Sequence, residues 1–308
     1  MPMENIQTTS HLLMVRPARF AFNEETAGNN AFQQRVGGEE ARLLQQEALE
    51  EFDVFVALLR DQGVEVTVVQ DTPTPFTPDS IFPNNCFSTH QDEGGHTLVL
   101  YPMFAPNRRL EREKLKPVLD QMHFDKVVDL THWEKQGKYL EGTGSLILDR
   151  EHHMAFACRS PRTHEEVVAD WTQQMGYDYF LFDSVDKHGM PVYHTNVVMH
   201  IGTHIAIVCT ESIPDDRQRQ RLLSLLEANG KRNVCITMAQ VSQFAGNMLE
   251  VHNRQGEPLL VMSSTAKASL APEQTKILSA HMHLVTPHIP HIEKAGGGSA
   301  RCMMAELF

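Results

Sequence analysis

One pattern recurs along this chain and limits its fold more than any other feature: an apolar run opened by small or amide residues, a polar turn, and a second apolar run. It appears as Asn84-Asn85-Cys86-Phe87-Ser88 with Thr97-Leu98-Val99-Leu100-Tyr101, and as Gly144-Ser145-Leu146-Ile147-Leu148 with Met154-Ala155-Phe156-Ala157-Cys158. It returns as Asn196-Val197-Val198-Met199-His200 with His204-Ile205-Ala206-Ile207-Val208-Cys209, and as Asn247-Met248-Leu249-Glu250-Val251 with Leu259-Leu260-Val261-Met262. A fifth first half, Ala300-Arg301-Cys302-Met303-Met304, has no return strand after it. The run His11-Leu12-Leu13-Met14-Val15 can supply one, so the pattern predicts a ring closed by the N- and C-terminal segments. The openings at 85, 144, 196, 247 and 302 lie about 50 to 60 residues apart, near the period of repeat architectures.

Helices fit between the hairpins. Segment 39–62 carries apolar residues at 43, 44, 48, 52, 55, 56 and 59, the period of one helix face, and segments 163–175 and 215–229 read the same way. Each unit is then a hairpin with a helix packed outside it, in the α/β class. The competing reading is an ordinary α/β sandwich in which hairpins recur by chance. Gly/Pro-rich patches at 73–83, 94–95 and 296–298 read as loops inside units, so residues 1–308 are expected to form a single domain.

Composition narrows the partners. The 39 acidic against 27 basic side chains give a net charge of −12, which repels polyanions and argues against nucleic acid and anionic membrane surfaces. No apolar run reaches the roughly 18 to 20 residues of a membrane span, and Met1-Pro2-Met3-Glu4-Asn5 lacks the pattern of a secretory leader. Five cysteines at wide, irregular spacings suit neither a disulfide framework nor a CxxC metal site, so a reducing cytoplasm is the expected location. Phosphate-loop, dinucleotide and GxSxG fingerprints are missing, and no cofactor is expected.

If the ring forms, the residues opening each first strand converge at one end of its axis: Asp79 with Asn84 and Asn85, then Glu141, then His194 with Asn196, then Asn247, then Cys302. Cys302, His194 and Glu141 from three units make a nucleophile, a proton shuttle and an orienting carboxylate. Taken singly, each has a plain structural reading, since free cysteines are usually buried hydrophobes and Asn or Glu often shape turns.

The runs Asp79-Ser80-Ile81-Phe82-Pro83-Asn84-Asn85, Leu140-Glu141-Gly142-Thr143-Gly144, His194-Thr195-Asn196 and Gly296-Gly297-Gly298-Ser299-Ala300-Arg301-Cys302, in this order, resemble the guanidino-modifying superfamily. That group contains arginine deiminases, dimethylarginine hydrolases and amidinotransferases. The resemblance implies a five-bladed β/α propeller, the pentein fold, and a Cys-His-Glu catalytic set. It is strongest to the citrulline hydrolase, or ureidase, branch. It implies Cys302 as nucleophile, His194 as general acid and base, and Glu141 as the carboxylate that orients it. It further implies Asp79, Phe82 and Asn85 as substrate contacts, and Arg159 as the binder of the substrate α-carboxylate.

Two departures bear on the substrate. Arginine deiminase-like members carry carboxylates where this chain has Asn85 and Asn196. A buried guanidinium without carboxylates is costly, whereas an asparagine offers both a donor and an acceptor to the C=O and NH2 of a urea. The expected substrate is therefore a small amino acid with a neutral ureido group, citrulline first, cleaved to ornithine, CO2 and ammonia. Asp79 keeps an arginine-like substrate open, and with it deiminase, dimethylarginine hydrolase and amidinotransferase activities. A homo-oligomer is also left open. Two other classes compete: a zinc hydrolase built on His281, His283, His288 and His291, whose spacing is unlike HExxH, and a binding propeller without catalysis.

Overall fold

The computed structural model describes residues 6–92 and 94–308; Met1 to Asn5, where the leader pattern was sought, lie outside them. Five three-stranded sheets make up the architecture, and all five share one plan. An antiparallel hairpin is followed by a helix, and the chain returns as a third strand parallel to the hairpin's second. In the first sheet Phe87–Asp92 pairs antiparallel with Gly95–Leu100, the helix Glu111–Leu119 follows, and Lys126–Asp129 pairs parallel with Gly95–Leu100. Ile147–Asp149, Met154–Cys158 and Asp178–Phe182 form the second, with the helix Glu165–Met175. The third uses Met199–Ile201, Ile205–Val208 and Arg232–Cys235 with the helix Asp216–Ala228, and the fourth Leu249–His252, Pro258–Val261 and His283–Val285 with the helix Pro272–Ser279.

The fifth sheet closes the ring. Ala305–Glu306, just beyond the expected run Ala300 to Met304, pairs antiparallel with His11–Arg16 through Leu12 opposite Glu306 and Leu13 opposite Ala305. His11–Arg16 then pairs parallel with Glu65–Gln70 across the helix Gly38–Asp61. The first strands of neighbouring sheets abut around the axis, and Gln7 ties two of them by donating to the carbonyls of Leu148 and Ile201 at 2.9 and 3.3 Å. This is the five-bladed α/β propeller that the repeat and the resemblance predict.

Local chemistry explains the elements. Helix Gly38–Asp61 buries Leu44, Ala48, Phe52, Phe55, Val56 and Leu59 on one stripe. Helix Asp216–Ala228 starts where the Asp215 carboxylate accepts the backbone N–H groups of Arg217 and Gln218, and Glu165–Met175 stops at Gly176 in the left-handed region. Two features differ from the sequence expectation. The third strands, three to six residues long, are half exposed and carry no clear alternation. Moreover, Asn84, Asn85, Gly144, Ser145, Asn196 and Cys302 do not begin strands. They lie in the helical turns Pro83–Asn85, Gly142–Ser145, Thr195–Val197 and Ala300–Met303, each just before or at the approach to its strand. Small and amide residues suit a tight turn packed against the same turn of the next blade.

Among the described residues no helix is long and apolar enough to cross a membrane. Cys86, Cys158, Cys209 and Cys302 are buried, Cys235 is exposed, and all five are free.

Candidate active site

The five helical or irregular turns bring polar side chains to one end of the axis. Glu141 is fully buried, and its carboxylate is held from three sides. His194 Nε2 lies 2.7 Å from Oε2, Arg162 Nη1 donates to the same oxygen at 3.3 Å, and the Phe104 backbone N–H donates to Oε1 at 2.9 Å. Burial alone would raise this carboxyl, but Arg162 and His194 hold it well below the ordinary carboxylate range. An ionised Glu141 accepts, so His194 carries its proton on Nε2 and presents Nδ1 as a free base. Burial depresses the imidazole to about 4 against the opposing pull of Glu141, which leaves His194 neutral at pH 7.

The bare Cα of Gly144 makes room for this arrangement. A Cβ there would sit 2.3 Å from Asn85 Nδ2 and 2.9 Å from His194 Nδ1. Gly296 and Gly298 do the same for Phe82, whose ring a Cβ at either position would meet at 2.7 to 2.8 Å. The Phe82 ring is thus roofed by the glycine run that leads to Cys302.

Cys302 Sγ is faced by two side-chain amides: Asn247 Nδ2 at 3.2 Å and Asn196 Nδ2 at 3.5 Å. Their oxygens, Asn196 Oδ1 and Asn247 Oδ1, are buried without a hydrogen-bond partner, as is Asp79 Oδ1. The other oxygen of Asp79 accepts from Asn23 at 2.7 Å and lies 3.9 Å from Arg108 Nε. Burial pushes the Asp79 carboxyl up against the pull of Arg108.

Arg108 has no counterpart in the sequence reading. It is buried and pairs with Glu111 through Nε at 2.9 Å and Nη2 at 3.1 Å, while Nη1 donates to Asn85 Oδ1 at 2.9 Å and Nη2 to the Phe82 carbonyl at 2.9 Å. Its contact with Asn85 fixes that amide, so Asn85 turns Nδ2 toward Gly144 and the Glu141 carbonyl.

Arg159 is not brought to this cluster. Its side chain is 41% exposed and pairs with Glu165 and Asp183 at 3.3 and 3.4 Å. Arg162, three residues later in the same turn, points inward, stacks 4.8 Å from the Tyr193 ring centroid and binds Glu141. Arg162 and Arg108 are thus the site cations that sequence spacing missed. The signal for Arg162 was its place in Arg159-Ser160-Pro161-Arg162; for Arg108 there was none.

Segment 17–37 covers the cluster. Asn23 bonds Asp79, Asn29 Oδ1 accepts from Arg162 Nε at 3.0 Å, and Asn30 Nδ2 donates to the Gly296 carbonyl at 3.2 Å. Beside Asn247 lies a cavity of about 10 Å³, room for about one water, and Phe32, Val197 and Phe244 separate it from an outer groove of about 520 Å³. The four histidines of the zinc reading do not assemble. His291 bonds Glu51 at 2.7 Å, His288 bonds Ser264 at 2.9 Å, and no metal-ligand grouping of the described residues contains any of the four. The one such grouping, Asp149, Glu151 and His152, already holds Lys231, which lies 3.4 Å from Asp149 and 2.9 Å from Glu151.

The family described as N,N dimethylarginine dimethylhydrolase, eukaryotic, matches residues 16–308. The chain belongs to this family. It is accordingly an amidine-type C–N hydrolase of the guanidino-modifying, pentein-fold enzymes. Solved structures agree in fold. The substrate-bound mutant N-terminal domain of ArgZ, an arginine dihydrolase from the ornithine–ammonia cycle in cyanobacteria, has a TM-score of 0.74 at 16% identity, over 96% of this chain and 97% of that one. Unliganded AgrE gives 0.73 at 17% identity, over 97% of this chain and 39% of its own. A dimethylarginine dimethylaminohydrolase adduct with S-methyl-L-thiocitrulline gives 0.65 at 13% identity, over 97% and 100%. No curated protein matches significantly.

Proposed function

We propose that this family member hydrolyses the C–N bond of a neutral ureido amino acid, citrulline first, with Cys302 as nucleophile. The observation that carries the reading is the pairing of the buried charges. Glu111 is taken by Arg108, Glu141 by Arg162 and His194, and Asp79 is shared between Arg108 and Asn23. The side chains that meet the Cys302 sulfur are amides. A substrate guanidinium would find only the single unpartnered oxygen of Asp79, whereas a ureido group needs no counter-charge and can donate N–H groups to buried acceptors.

In this mechanism Cys302 attacks the ureido carbon while His194 Nδ1 takes up the thiol proton. The imidazolium so formed is stabilised by Glu141 and passes the proton to the leaving nitrogen, giving an S-carbamoyl enzyme. His194 then draws a proton from water, whose hydroxide releases carbamate, which breaks down to CO2 and ammonia. Arg162, in place of Arg159, is the arginine assigned to the substrate α-carboxylate, because it is buried in the cluster and bonded to the covering segment.

A cationic substrate is the second reading. The family's described substrate, dimethylarginine, and the arginine dihydrolase ArgZ favour it, together with the unpartnered Asp79 Oδ1. Parallel assays with citrulline, arginine and dimethylarginine, with products identified by mass spectrometry, separate the two. Ornithine from citrulline alone supports the neutral pocket; citrulline formed from arginine or dimethylarginine transfers the assignment to a guanidino substrate.

A further inference from the structure

We infer that Asn247 is a catalytic residue, an amide donor that stabilises the negative charge on the Cys302 sulfur as its proton passes to His194. The inference rests on Cys302 being the nucleophile. Asn247 Nδ2 lies 3.2 Å from Cys302 Sγ and, with its other hydrogen, donates to the Asn196 backbone carbonyl at 3.2 Å. That carbonyl can only accept, so the amide cannot be turned over to present its oxygen to the sulfur. Asn196 Nδ2 adds a second donor at 3.5 Å.

Two other buried cysteines face carbonyls. Cys86 Sγ faces the Pro83 carbonyl at 3.4 Å and Cys158 Sγ the Val192 carbonyl at 3.5 Å, acceptors that suit an S–H; the Thr195 hydroxyl, also 3.5 Å from Cys158 Sγ, makes its shorter bond, 2.6 Å, to the Ser145 carbonyl. Burial pushes those two thiols up to about 12 and about 11. Around Cys302 the sulfur instead receives two N–H groups, the environment of an anion. His194 cannot supply a resting positive charge, since it is neutral and its Nε2 proton is committed to Glu141. A neutral substrate supplies none either. The amides therefore stabilise the sulfur anion as it forms, and Asn247, 3% exposed and anchored by the Asn196 carbonyl, is the more firmly placed of the two.

Neither of two nearby ionisable groups supplies a charge to the sulfur. The Tyr193 phenol is pushed up by burial and by Cys302, so it stays neutral, and the Arg301 guanidinium is tied to the Met304 carbonyl and Glu306.

The test uses the full chain with Cys235→Ser, which removes the exposed thiol, and compares Asn247→Leu with the nearly isosteric Asn247→Asp. The rate of alkylation by iodoacetamide is followed against pH, with kcat and KM for citrulline measured alongside. Loss of the donor should raise the pH midpoint of alkylation by about one unit and lower kcat roughly 10- to 100-fold, the range of a hydrogen bond to a charged group. KM should change by less than about threefold, since the contact is made to enzyme sulfur. Folded variants that keep the parent midpoint and kcat overturn the role of Asn247. Turnover retained by Cys302→Ser would instead overturn the nucleophile assignment, so the two failures are distinguishable.

Discussion

Glu141 Oε2 and His194 Nε2 stand 2.7 Å apart in a pocket where neither side chain meets solvent, and Arg162 braces the same oxygen. The contact sets the tautomer that leaves Nδ1 free to take a proton. Glu141→Gln keeps the shape but can present its NH2 to the imidazole and stabilise the wrong tautomer. It should lower kcat about 100-fold or more, the scale of lost general acid–base catalysis, with a native circular-dichroism spectrum. Activity within a few fold of wild type would remove His194 and Glu141 from the chemistry.

Gly144→Ala tests the packing on the other face of His194. The added methyl meets Asn85 Nδ2 at 2.3 Å and His194 Nδ1 at 2.9 Å, so something must shift. Overpacking of this kind costs about 1–3 kcal/mol, and the shift displaces the base itself. Urea unfolding should show a stability loss of that size, and turnover should fall more steeply than stability explains.

Asn196→Asp puts a carboxylate beside the Cys302 sulfur and removes one of its donors. Citrulline kcat/KM should fall roughly 10- to 100-fold, while the ratio of arginine to citrulline turnover rises. Asn85→Asp should do less, because Arg108 already donates to Asn85 Oδ1 and would neutralise the new charge. Equal effects from the two variants would count against the neutral-pocket argument.

Acid should destabilise the fold through its buried histidines, His90, His194 and His200, all depressed by burial. Burial depresses His194 to about 4 and, with help from the Arg301 charge, His200 to about 3. In the unfolded chain both titrate near 6.5, so below that pH the unfolded state binds more protons than the native one. Their contribution is complete above about pH 6.5 and is lost as pH falls toward 4, by roughly 3 kcal/mol per histidine. Calorimetric melting across this window should show the decline, and His200→Gln should flatten it. A slope unchanged by His200→Gln would exclude that histidine as a source.

The ring was readable in the sequence because each first strand is announced by the same opening, and His11–Arg16 matches the missing partner of the last unit. The meeting of Glu141 and His194 at one end of the axis followed from that order. The third strands escaped because runs such as Lys126–Asp129 and Arg232–Cys235 are half exposed and only four residues long. The site cations escaped for another reason. Arg159 and Arg162 share one turn, and only the direction of each side chain, outward to Glu165 and Asp183 or inward over Tyr193, tells them apart. Arg108 reaches Asn85 and Glu111 by tertiary folding alone, from the short helix Pro106–Arg109. Asn247 stood at the right place in the repeat, but its contact with sulfur becomes visible only once the turns meet.

The central claim is that Cys302 carries the ureido carbon of citrulline as a covalent intermediate. Rapid acid quench with citrulline labelled at that carbon, followed by peptide mass spectrometry, tests it most directly. The account predicts label on the peptide containing Cys302, absent in Cys302→Ser, with unlabelled ornithine released. Label found elsewhere, or turnover without any label on Cys302, would contradict it.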